Sequence, residues 1–401
     1  MITINGFLHR KILSDIIRRW MYNETHPDDA DSVVKLVHFN SVFVARYLNI
    51  FARGIFAGLR PGPLSVFPVT RKGDLKDALA TAPPYRNERI NQLTEDYRLN
   101  PGRFYRETPF NGSLYFSTSN GERIYAGSSR IKRMRRLAEK SARRIIDIIF
   151  DRIKRDAEMM ANGRALLLGI PRTELLTAPQ EMEEEFFRAE NRLLADLRER
   201  RPIDEDGKIA PINDVAGIKV ILEPHEETKI QELIARSADG EIVEAEKHSG
   251  RYNATNIAVR YRPPKRDIIA LPLEEGSLRI MQARGYSPYE ANQAFREFVL
   301  AGEEDVRVEI IVSSYQEILE SELGRSMHED RIIEQRLKQQ YRGPLAHNIG
   351  YLLEYLFVLP AAVRGGDLGE LPIKLWNRYL PDYFDEVLKE LFHIPPVNNI
   401  R

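Results

Sequence analysis

Two short stretches decide how this chain reads: Asp214–Leu222, DVAGIKVIL, and Val306–Val312, VRVEIIV. Both are brief apolar runs rich in β-branched residues, the mark of strands buried in a sheet. Each carries one acid, Asp214 at the opening of the first and Glu309 inside the second. A carboxylate in an apolar strand is costly unless it is paired or holds a cation. On neighbouring strands, the two would form a hard oxygen site of the kind that takes Mg²⁺ beside nucleotide phosphates. A plainer reading stands beside this one: Asp214 caps a strand, and Glu309 lies on the polar face of the sheet. Residue types alone favour the plainer reading.

Around these strands the pattern alternates. Thr228–Ser237 reads as a helix, Ile257–Arg262 as a strand, Ser287–Phe298 as a helix and Tyr315–Gln340 as a long polar helix. This order signals an α/β or an α+β domain with a central sheet, and α+β on a central mixed sheet is the fold class expected. Upstream, Leu114–Ser117 and Arg123–Tyr125 flank Asn120-Gly121, a hairpin signature. Val33–Phe56 repeats apolar residues at steps of three and four, as does the run from Ile131 to Ile153. Gly163 reads as the break before a second helix, Pro179–Arg200. The expected organisation is a mainly helical region over 1–120, a central domain over 121–345, and a helical tail over 346–401. The central domain has helical insertions near 145–205 and 275–300.

Composition sets the limits. The 401 residues carry 59 Lys plus Arg against 59 Asp plus Glu, so a generally basic nucleic-acid binder is excluded, but a local basic patch is not. Cysteine is absent, which excludes disulfides, thiol nucleophiles and Cys-based zinc sites. Met1–Trp20 lacks the unbroken apolar core of a signal peptide. The most apolar stretch, Ile349–Val363, contains Glu354 and Pro360 and falls short of the ~20 residues needed to span a bilayer. A cytoplasmic protein with a buried helix there, and no membrane contact, is the expectation.

The basic patch is Arg130–Arg144, RIKRMRRLAEKSARR, with eight basic residues in fifteen. Read as a helix, it leaves an apolar stripe free and surrounds it with cations. Such a surface attracts a triphosphate or an RNA backbone, or is simply a solvated face. A third candidate is Arg251–Asn256, RYNATN, where Tyr252 has a ring to stack on a base and Asn256 has hydrogen-bonding groups.

Taken in order, these segments resemble the synthetase domain of the RelA/SpoT-type alarmone synthetases, a branch of the nucleotidyltransferase fold. That family opens with Arg-x-Lys, matched by Arg130-Ile131-Lys132. Its Asp-x-x-Gly-x-Arg strand is matched by Asp214–Lys219, with Lys219 for Arg. Its Gly-Tyr-x-Ser-x-His segment is matched at Tyr252, with Asn256 for His. Its Glu-x-Gln-Ile-Arg-Thr strand is matched at Glu309. Glu322, Gly324 and His328 then fall in register with the family's Ala-Glu-x-Gly-x-x-x-His helix. The resemblance covers roughly residues 123–340.

The resemblance implies a nucleotidyltransferase-type sheet and a set of roles. Asp214 and Glu309 would hold Mg²⁺, with Glu309 also accepting a proton. Arg130, Lys132, Arg136 and Lys219 would bind phosphates, and Tyr252 and Asn256 would face the acceptor. The implied reaction is Mg²⁺-dependent transfer of a pyrophosphate or nucleotidyl group from a nucleoside triphosphate, such as ATP or GTP, to a nucleotide or RNA hydroxyl. One alternative is a non-catalytic nucleotide- or RNA-binding relative that uses segment 130–144 to hold RNA or tRNA. Another is a structural protein whose terminal regions bind a partner. No hydrolase domain follows from His9, His26, Asp28 and Asp29, and there is no Gly-rich phosphate loop.

Overall fold

The computed structural model describes residues 2–60, 62–119, 121–203, 210–250, 253–324, 341–361, 369–377 and Val387. The chain opens with β1 (Ile2–Ile4), α1 (Arg10–Met21), α2 (Asp29–Val34) and α3 (Asn40–Leu59). A π-helical turn, Lys35–Phe39, joins the last two. Next come β2 (Leu64–Arg71), α4 (Lys72–Thr81), α5 (Glu88–Leu99) and the hairpin β3 (Pro109–Ser119) and β4 (Glu122–Ile131). Two long helices follow, α6 (Met134–Leu168) and α7 (Pro179–Arg198). The central segment runs β5 (Ala210–Ile212), β6 (Ala216–Ile221), α8 (Thr228–Arg236), β7 (Gly240–His248) and β8 (Ala254–Tyr261). After α9 (Lys265–Ala270), α10 (Glu275–Gln282) and α11 (Pro288–Ala301) come β9 (Val306–Ser313), α12 (Tyr315–Leu319) and α13 (Pro344–Val358).

The expected α+β architecture is present. Seven strands form one mixed sheet in the order β2-β3-β4-β6-β9-β8-β7, flanked by helices. The only parallel pair among them is β6 with β9. β1 and β5 form a separate parallel pair. The sheet takes β2 and β3 from the first 120 residues, so it crosses the boundary expected there.

Alternation along the strands gives the sheet two unlike faces. Ile218, Val220, Ile257, Val259, Val308 and Ile310 are all buried and face the helical side. There α3 lays its aromatic residues on the sheet: Phe51 stacks on Tyr261 at 4.3 Å and Phe56 on Tyr115 at 4.3 Å. The helical run Asp29–Leu59 is long and apolar enough to cross a bilayer by length and composition alone. Its buried side, from Phe39 to Phe56, belongs to this core. The opposite face of the sheet is apolar at one end, where Leu114, Phe116, Tyr125 and Ile221 pack with α4, α5 and α12. At its other end it is polar, and the cleft described below opens there.

Several expectations change. Arg130–Arg144 is not one helix. Arg130 and Ile131 end β4, held by pairing with β6, and α6 starts only at Met134. Gly163 does not break α6. A lone glycine costs a helix only about 1 kcal/mol relative to alanine, and the packed stripe from Leu137 to Ala165 outweighs it. The helix stops at Gly169, whose φ of 68° lies in the left-handed region that glycine adopts freely. Helical structure after Ser314 is described only to Gly324, ending in a π turn; the expected helix beyond it, with His328, lies outside the described residues. Of the apolar stretch from Ile349, the part to Val358 lies on α13, with Ile349, Leu352, Leu353 and Leu356 in the core.

Candidate functional site

Strand register places the candidate residues. Arg130 on β4 sits opposite Gly217 on β6, and Gly217 sits beside Glu309 on β9. One step along, Ser128, Lys219, Ile311 and Asn256 line up across β4, β6, β9 and β8. Side chains two apart share a face, so both rows stand on the polar side of the sheet. Asp214 lies in the turn two residues before β6, rather than on the strand itself. The backbone there is tied down by the Lys132 amide, which donates to the Val215 carbonyl at 2.8 Å.

These residues line a single cleft of about 970 Å³ between the sheet and α6, with α13 on its far side. Asp214, Glu309, Arg130, Lys132, Arg136, Lys219 and Asn256 all contribute to it. Tyr252 lies outside the described residues. Among the described lining residues, nine are Lys or Arg and six are Asp or Glu. A chain of zero net charge has therefore gathered a surplus of three positive charges in one concavity. Low-dielectric walls strengthen such a field toward a polyanion.

Asp214 is the most constrained of these groups. It accepts hydrogen bonds from Lys132 Nζ and, at 2.6 Å, from Lys140 Nζ. Burial alone would raise its pKa, but the two ammonium charges and their hydrogen bonds outweigh that and hold the carboxyl at about 2. Lys132 is pulled the other way. Burial favours its neutral amine, Asp214 offsets this in part, and the ammonium is left at about 8. Glu309 differs from both. Among the described residues it makes no hydrogen bond and no ion pair. Burial, then the nearby charge of Asp214, raises its pKa, against smaller opposing effects from Lys132, Lys140 and Lys219. A Cβ built on Gly217 would lie 3.9 Å from Glu309 Oε2, so the carboxylate stands over the glycine at the cleft floor.

A third acid anchors the other end of the floor. Glu322 is 2% exposed and pairs with Lys72 at 2.6 Å and with Lys219 at 3.6 Å. Its backbone carbonyl accepts from Lys76 Nζ at 2.9 Å. Arg130 lies over the ring of Phe110, 5.9 Å from its centroid. The Asn256 Oδ1 atom is buried and has no hydrogen-bond partner among the described residues.

Part of the basic segment borders the cleft, while Arg135 and Arg144 are also exposed to solvent. Arg136, Lys140, Arg143 and Arg144 line the cleft, and Arg135 pairs with Glu354 of α13 at 3.4 Å. Sequence reasoning did not single out Lys72 or α13 as parts of this site. Lys72 carried no local signal, and α13 reaches the cleft only through tertiary packing on α6. Glu322 did carry a signal, its register after Glu309.

A divalent ion has a partial fit here. No cluster of three or more Asp, Glu or His side chains suited to a metal occurs among the described residues. Two carboxylates, Asp214 and Glu309, do line the same cleft, near enough for the charge of one to act on the other, and Mg²⁺ is commonly held by one or two carboxylates together with substrate phosphates and water. The donor set suits an ion that arrives with a polyphosphate, provided that the phosphates take Lys132 and Lys140 from Asp214. Compared with models of known protein families, with curated proteins and with solved structures, the chain matches none.

Proposed function

We propose that the cleft binds a nucleoside triphosphate with Mg²⁺ and transfers a pyrophosphate or nucleotidyl group to the hydroxyl of a nucleotide or RNA. The observation that carries this reading is that Asp214, in the turn before β6, and Glu309, on β9, line one cleft together with Arg130, Lys132, Lys140 and Lys219. Phosphoryl and nucleotidyl transfer need charge neutralisation and alignment more than covalent chemistry. The lysines and Arg130 supply the cations for the phosphate oxygens. Asp214 and Glu309 are the residues that would hold Mg²⁺, whose chemistry there would be neutralisation of phosphate charge. Glu309, which makes no hydrogen bond or ion pair among the described residues and whose pKa is raised by burial and by Asp214, is suited to take the proton from the attacking hydroxyl. As that oxygen bonds to phosphorus, the bond to the leaving nucleotide or pyrophosphate breaks.

A second reading rests on the clamp at Asp214. Two lysines already neutralise that carboxylate. A site that keeps them there would bind nucleotide without transferring anything. The two readings separate in one assay. Purified protein is incubated with Mg²⁺ and labelled ATP, with GTP, GDP or tRNA as acceptor, beside Asp214→Asn and Glu309→Gln. Product that both variants lack supports transfer. Nucleotide binding without product supports the second reading, and absence of binding removes both.

A further inference from the structure

The far wall of the cleft has a different character from its floor. His347, Gly350, Tyr351 and Glu354 of α13 line it. Their spacing of three, four and seven residues puts them on one helical face. The other side of α13 buries Leu345, Ile349, Leu352, Leu353 and Leu356. Tyr341, just before the helix, stacks on Phe150 at 6.1 Å, and Glu354 in its last two turns pairs with Arg135 at 3.4 Å.

That wall has an opening at its middle. Among the described residues, a Cβ built on Gly350 would meet no atom within 4 Å. Glycine inside a helix lowers helix stability relative to alanine, and here no neighbouring atom requires it. Beside this gap stand the exposed His347 and the half-buried Tyr351, an imidazole and a phenol ring. From His347 to Glu354 the helix extends about 10 Å, enough for a purine to lie along it.

A cationic floor facing a wall that is narrow, aromatic and open at a glycine calls for a ligand that is charged at one end and flat at the other. We infer that the α13 wall at Gly350 is the nucleobase subsite of the cleft, with the base lying against the glycine and flanked by Tyr351 and His347. This rests on the reading above that the floor holds polyphosphate. It adds that the C-terminal helix, which lies beyond the residues carrying the family resemblance, determines recognition of the base.

The test compares three probes by calorimetry on the full chain with Mg²⁺: inorganic tripolyphosphate, and the non-hydrolysable β,γ-imido analogues of ATP and GTP. The unmodified protein is expected to bind at least one imido nucleotide about fivefold or more tighter than tripolyphosphate, the scale of one base–aromatic stack. Gly350→Gln should remove that advantage and leave tripolyphosphate affinity unchanged. Gly350→Ala should remove part of it while raising Tm, which separates a blocked subsite from a damaged fold. The inference is overturned if neither nucleotide has an advantage, if Gly350→Gln leaves the advantage intact, or if it weakens tripolyphosphate equally. Failure of tripolyphosphate itself to bind would remove the polyphosphate reading underneath. Binding of tripolyphosphate with no gain for nucleotides would remove the α13 subsite alone.

Discussion

Replacing Asp214 by Asn probes the most tightly held group in the cleft. A carboxyl held at about 2, against an ordinary 3.8, stabilises the folded chain by about 2 kcal/mol at neutral pH. The sign follows from proton uptake. The unfolded chain binds this proton more tightly, so the stabilisation is complete above the unfolded value and fades as pH falls through the folded one. By pH 3 about half of it should be gone. Urea unfolding of the wild-type and Asp214→Asn proteins at pH 7, 5 and 3 reads the difference directly. We expect the variant to be less stable by about 2 kcal/mol at pH 7 and by about 1 kcal/mol at pH 3. Removing the acid also frees Lys132 and Lys140, so in the absence of Mg²⁺ the variant should bind tripolyphosphate more tightly. A stability difference that does not change between pH 7 and pH 3, or weaker tripolyphosphate binding in the variant without Mg²⁺, would refute the clamp as described.

The other perturbations test neighbouring groups. Because burial leaves the Lys132 ammonium at about 8, affinity for tripolyphosphate should fall as pH rises through that value, with proton uptake on binding above it; a flat profile from pH 7 to 9.5 would count against Lys132 as a phosphate ligand. Glu322→Gln takes the carboxylate from buried Lys72 and should cost about 3–5 kcal/mol in a denaturant titration, far more than an exposed pair would. Phe56→Ala removes a fully buried ring stacked on Tyr115 and should cost about 3–5 kcal/mol by the same method, without changing the pH dependence of ligand binding.

What the sequence disclosed and what it hid follow from where each segment sits in the sheet. β6 and β9 lie in the middle, so their apolar runs announce them, and an acid within or beside such a run stands out. The β3–β4 hairpin was legible through Asn120-Gly121. β7, GEIVEAEKH, is an edge strand with most residues exposed, so it lacks a buried face that periodicity could detect. β2 is the opposite edge and carries Pro68, which reads against a strand although an edge tolerates it. Arg130 and Lys132 read as helix because their run of cations continues into α6; only the pairing with Gly217 shows the strand. The lysine clamp on Asp214 joins residues 82 and 74 positions apart, and no local pattern encodes such a contact. The α13 wall is hidden for the same reason, since its apolar side dominates its sequence and its cleft side is short.

The claim that the two acids share a divalent ion beside a polyphosphate can be tested by crystallography. Crystals grown with Mn²⁺ and an imido nucleotide would be measured for anomalous scattering. The proposal requires a metal peak between Asp214 and Glu309, with Lys132 and Lys140 turned from Asp214 toward phosphate oxygens. Nucleotide bound with both lysines still on Asp214 and no metal peak, or nucleotide bound outside this cleft, would contradict it.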